Sequence, residues 1–65
     1  MTEYQWRVYQ FLLSRPGGAY AFQVMQAAGL GALACNSVLR ALERRGLVET
    51  FPVPDMWPGH MWRAC

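Results

Sequence analysis

The segment GLGALACNSVLRALERRGLVE, from Gly29 to Glu49, restricts the fold of this chain more than any other part of it. Arg40, Ala41, Leu42, Glu43, Arg44 and Arg45 are good helix formers, and Gly46 then supplies the residue that takes a left-handed cap. A helix therefore ends at Gly46. Leu47 and Val48 follow at once, apolar and partly β-branched, so the chain passes from the helix into a strand that needs a surface to pack on. At the front of the segment, Gly29-Leu30-Gly31 is too glycine-rich to continue the helical pattern before it, and a new periodic stretch begins near Ala32. Two helices meet at a tight turn, and the second leads directly into a strand.

Within that second helix, Cys35, Val38 or Leu39, and Leu42 recur at three- and four-residue spacing and form one buried stripe, while Asn36, Ser37, Arg40 and Arg44 fall off it. The pattern resembles the winged helix-turn-helix superfamily, whose familiar form is a short helix, GLS, three or four residues, then V-x-x-x-L-x-x-L-E-x-x-GLV. Gly29-Leu30-Gly31 corresponds to the turn, Cys35 to the buried small aliphatic, Leu39 and Leu42-Glu43 to the helix core, and Gly46-Leu47-Val48 to the exit. At this level the chain is similar to bacterial regulators of the PadR and MarR type, over nearly its whole length. The resemblance implies a small mostly-α (α+β) domain of three helices and a C-terminal two-stranded β-hairpin, the wing. It also implies a homodimer that binds double-stranded DNA and regulates transcription, while the two widely spaced cysteines point to a reduced, cytoplasmic protein.

The remaining elements are read from the residues. Thr2 and Gln5 have the spacing of a capping box, so the first helix starts there and covers residues 3–14. Tyr4, Val8, Phe11 and Leu12 share one face of it, and Trp6, Tyr9 and Leu13 make a second apolar strip beside them. Two faces are wider than one core contact requires. The second strip is either extra core or a face for a second copy of the chain. Pro16-Gly17-Gly18 ends the helix. Residues 20–28 form the second helix, with Phe22, Val24, Met25 and Ala28 available to the core and with Tyr20 and Gln23 placed to reach a phosphate. The third helix covers 32–45. After it, 47–64 form the wing, in which Pro52 removes a ladder donor and predicts a short, irregular pairing.

By the same resemblance, the third helix enters the major groove. The N-terminal residues that would meet base edges are Ala32, Leu33 and Ala34, apolar where hydrogen-bonding side chains are usual. The candidate DNA-contacting set is Ala34, Asn36, Ser37, Arg40, Arg44, Arg45 and Arg63. Asn36 suits adenine and Arg40 a guanine or a phosphate, whereas Arg44 and Arg45 suit the helix dipole and pairing with Glu43 or Glu49 better than contact with DNA. The wing tip, Asp55-Met56-Trp57-Pro58, is acidic and apolar. Met56, Trp57 and Trp62, with Trp6 and Tyr9 on the first helix, are candidates for a protein-binding surface. Alternatively, Trp62 folds back over the first helix and completes a small core. The second functional reading is accordingly a winged-helix interaction module, an adaptor, inhibitor or anti-regulator of phage or mobile-element type, that does not bind DNA.

Composition narrows the remaining classes. A 65-residue chain with 54% hydrophobic and 14% aromatic residues has the material for one small core and is not disordered. Its net charge is only +2, so DNA affinity depends on where the six arginines lie rather than on their number. Cys35 and Cys65 do not form a secreted disulfide framework, and Cys35 reads as a small buried hydrophobe. His60, Cys35, Cys65 and Asp55 have no metal-ligand spacing. No nucleophile with a base, carboxylate pair or phosphate loop is visible, so neither an enzyme nor a cofactor is expected. The uncharged run from Pro16 to Leu39 is long enough to span a membrane, but its glycines and polar residues divide it into two short helices.

Overall fold

In a computed structural model, which describes residues 1–54 and 59–65, three helices precede one hairpin: α1 (Glu3–Leu13), α2 (Ala21–Ala28), α3 (Ala32–Arg44), β1 (Val48–Pro52) and β2 (His60–Ala64). Thr2 starts α1 by the reciprocal bonding its sequence suggests. Its hydroxyl accepts from the Gln5 N–H at 3.2 Å, and its own N–H donates to Gln5 Oε1 at 3.1 Å. Gln23 plays the same part for α2, accepting from the Tyr20 N–H at 2.9 Å. The end of α3 is a paired-bond cap: Gly46 sits at φ 74°, its N–H donates to the Glu43 carbonyl at 2.9 Å, and the Leu47 N–H donates to the Leu42 carbonyl at 3.0 Å. Only glycine takes that backbone conformation without strain, which is why the helix stops there and the chain turns directly into β1.

The two strands pair antiparallel from Val48↔Ala64 to Pro52↔His60. The expected irregularity does not occur within this register, because Pro52 occupies the last pair and not the middle of the ladder. A feature absent from the sequence pattern adds a third strand position. Ala19 and Trp62 exchange two backbone hydrogen bonds of 2.8 Å, so the segment between α1 and α2 is stitched to the open edge of β2.

The core draws on every element: Val8 and Leu12 from α1, Ala19, Val24 and Ala28, then Cys35, Leu39 and Leu42 from α3, with Val48 and Trp62 from the hairpin. Trp62 is the largest of them and is 1% exposed. It therefore completes the core and does not belong to a protein-binding surface. Its burial follows from strand alternation, which turns Val48, Thr50, Trp62 and Ala64 to the helices. Tyr4 does not share the burial of Val8 and Leu12. It lies one turn earlier and is 43% exposed, with the Arg7 guanidinium 5.3 Å from its ring centroid. Phe22 likewise stays at the surface, stacked on Tyr20 at 5.7 Å. The uncharged run becomes α2 and α3, whose axes turn by 102° at the break, within the roughly 90–120° of a helix-turn-helix. Among the described residues, no single helix is long and apolar enough to cross a membrane.

Candidate nucleic-acid interface

The outward face of α3 follows from its buried one. With Cys35, Leu39 and Leu42 turned to the core, a rotation of about 100° per residue sends Leu33, Ser37, Arg40 and Arg44 to the opposite side in one line along the axis. All four are exposed. Asn36 and Glu43 lie on one flank of this line, and Ala34, Ala41 and Arg45 on the other. Of the residues proposed from sequence, Ser37, Arg40 and Arg44 thus share the central line, while Asn36, Ala34 and Arg45 border it. Leu33 was missed. At 86% it is the most exposed large apolar side chain among the described residues, and the same helical periodicity that puts Ser37, Arg40 and Arg44 in line selects it.

Arg40 is held on two sides. Its guanidinium carbon lies 5.2 Å from the centroid of the Trp62 ring, and Nη1 donates to Glu43 Oε1 at 2.9 Å. Arg63 is held in the same way on the wing, 4.4 Å above the Phe51 ring and 2.8 Å from Glu49. The expected pairing of Arg44 and Arg45 with Glu43 or Glu49 is therefore replaced. Glu43 lies three residues beyond Arg40 on one helix flank, and Glu49 is directly opposite Arg63 in the strand register. Arg44 and Arg45 have no ion-pair partner among the described residues. Since the two acidic partners are about 35% and 44% exposed, each pair is worth at most about 1 kcal/mol. An arriving phosphate can displace either carboxylate at small cost.

Between α3 and the wing lies an open cleft of about 250 Å³ lined by Arg40, Thr50, Phe51, Pro52, Gly59 and His60. Arg40 from the helix and His60 from the wing both line it. Met56 and Trp57, proposed from sequence as wing contacts, lie outside the described residues. On α1, Trp6 is 47% and Leu13 51% exposed, with Tyr9 half-buried beside Trp6 at 6.2 Å between ring centroids. The second strip of α1 is therefore surface at Trp6 and Leu13, and Tyr9 packs against the edge of the core. Cys35 points its thiol toward the Ala21 carbonyl at 4.0 Å, and burial raises its pKa. It fills the contact between α2 and α3.

This arrangement is a known one. Residues 1–61 match the family described as the sugar-specific transcriptional regulator TrmB. No curated protein sequence matches the chain. Among solved structures, it is similar to the PcaV transcriptional regulator from Streptomyces coelicolor, determined with its natural ligand, at 26% identity and a TM-score of 0.90. It is also similar to the MarR family transcription regulator SP03579, at 25% and 0.87, and to S. aureus MepR bound to ethidium bromide, at 17% and 0.85, a likeness of fold alone. Each similarity covers 100% of this chain but only 45%, 42% and 47% of the respective regulator, so the chain spans less than half the length of these relatives. The chain belongs to the TrmB family of transcriptional regulators, and its fold is the winged helix-turn-helix DNA-binding domain.

Proposed function

We propose that this chain binds double-stranded DNA in the cytoplasm as a homodimer, placing one α3 in the major groove of each half-site. Arg40, Ser37 and Asn36 face base edges, and Arg44, Arg45 and Arg63 face phosphates. The observation that carries this reading is the exposed line along α3: two arginines and a serine stand in a row on the face opposite the core, where an inserted helix meets DNA. The arginines supply most of the affinity through counterion release, and the polar side chains near the front of α3 supply discrimination. Ala34, on the flank, allows close approach by its small size.

The strip on α1 supports the dimer. Trp6 and Leu13 remain exposed in the single chain, whereas Trp62, another of the large candidates for a contact, is used inside the core. A second copy covering Trp6, Tyr9 and Leu13 would remove this apolar surface from water. The test is selection of bound sequences from a randomised duplex pool. Enrichment of an inverted repeat with half-sites about one helical turn apart is the expected result. Recovery of no motif from a protein that stays folded and soluble would count against this reading.

A further inference from the structure

We propose that Leu33 reads the C5-methyl group of thymine in the major groove, so that this domain discriminates part of its site by apolar contact rather than by hydrogen bonding. The inference rests on the reading of α3 as the groove-facing helix and goes beyond it. Three observations point to it. Leu33 is 86% exposed, an unfavourable state for a leucine with nothing to pack on. It stands at the front of the line that continues through Ser37, Arg40 and Arg44, so whatever the arginines approach also meets Leu33. A surface that carries two cations behind its leucine complements a polyanion and not an apolar protein patch.

The composition of the first turn of α3 adds to these. Ala32, Leu33 and Ala34 carry no side-chain donor or acceptor, so base edges at the helix front cannot be distinguished there by hydrogen bonds from side chains. The one major-groove feature that an aliphatic side chain can recognise is the thymine methyl, which separates T from C and from both purines. The alanines on either side add no bulk that would hold Leu33 away from the bases. Polar readout begins only one turn later, at Asn36 and Ser37. The site is therefore divided: methyl contact at the helix front, and hydrogen bonding from Asn36 onward.

The test uses the duplex enriched from the random pool, with each thymine of a half-site replaced in turn by deoxyuridine, which removes the methyl and leaves the hydrogen-bonding edge unchanged. Binding of the 65-residue chain is read by fluorescence anisotropy. At one or two positions the replacement should weaken binding about fourfold, the change expected for burying a single methyl-sized group. In the Leu33→Ala variant, thymine and deoxyuridine duplexes should bind equally. Because Leu33 is so exposed, this variant keeps its fold, which circular dichroism checks. Equal binding of all deoxyuridine duplexes by the unaltered chain would overturn the inference while leaving DNA binding in place. So would methyl sensitivity that persists in Leu33→Ala. Absence of binding to any duplex at low salt would overturn both this inference and the DNA-binding reading beneath it.

Discussion

The guanidinium of Arg40 rests over the buried indole of Trp62, 5.2 Å from the ring centroid, and so ties the outward face of α3 to the floor of the wing. Trp62 is fixed by its burial and by its backbone bonds to Ala19, and Glu43 steadies the guanidinium from the helix side. Arg40 therefore loses little side-chain freedom when it engages a ligand. Planarity matters for this arrangement as well as charge. Arg40→Lys should lower DNA affinity although the charge is kept, since a lysine neither stacks on the indole nor bonds in bidentate fashion. Arg40→Ala should lower it by roughly tenfold or more. Thermal unfolding should differ little among the three proteins, because the Arg40 side chain is largely at the surface.

Trp62 carries the opposite kind of role. Replacing it with alanine empties the largest site in the core, at a cost of about 3–5 kcal/mol, which is comparable to the whole stability of a domain this small. Trp62→Ala should therefore be largely unfolded at 25 °C. Trp62→Phe should remain folded with a lower midpoint in urea. The indole Nε1 is buried without a hydrogen-bond partner among the described residues, so phenylalanine gives up volume there and no hydrogen bond. Urea titration followed by circular dichroism separates the two variants.

Two adjacent glycines offer an internal control on the edge pairing. A Cβ at Gly18 would lie 2.8 Å from the Phe51 ring and 3.0 Å from the Trp62 carbonyl, on a backbone at φ 95°. A Cβ at Gly17 would meet nothing within 4 Å. Gly18→Ala should cost about 1–3 kcal/mol through strain and displacement of Phe51, whereas Gly17→Ala should change stability by less than about 0.5 kcal/mol. Equal melting temperatures for the two variants would contradict the stitched edge.

The two thiols should behave as different chemical species. Cys65 is exposed and Cys35 is buried with its pKa raised. One thiol per chain should react quickly with a thiol-specific reagent in native buffer, and the second only as fast as the domain opens. The pH dependence follows in sign. Cys35 keeps its proton in the folded state above 9.0, the ordinary value at which the unfolded thiol ionises. Its contribution to stability is thus complete below about pH 9 and declines as the pH rises above that value toward the folded pKa. Cys35→Ala should flatten this alkaline decline.

Much of the architecture could be read from local signals, because Thr2, Gln5, Gly46 and Pro16 are capping and breaking residues whose effect does not depend on distant partners. The observed helices fall one residue short of the expected ranges at Ser14, Tyr20 and Arg45, which are cap positions. The side of the hairpin on which Trp62 lies was not readable, since a one-residue change in register moves every side chain to the other face. The Ala19–Trp62 bridge left no trace either, because a single paired residue has no periodicity. Glu43 and Glu49 each had several arginines within reach, and only helix phase and strand register decided that Arg40 and Arg63 would take them. Leu33 was legible by position and obscured by its chemistry, being an apolar residue where a polar one is usual.

The most direct test of the account is the salt dependence of DNA binding by the 65-residue chain, measured by fluorescence anisotropy on one duplex from low to near-physiological ionic strength. If each protomer of a dimer sets Arg44, Arg45 and Arg63 on phosphates, the slope of log affinity against log salt should be about −5, and the Arg44→Ala, Arg45→Ala double variant should reduce it to about −2. Binding that is absent at the lowest salt, or a slope that the double variant leaves unchanged, would contradict the placement of α3 on DNA.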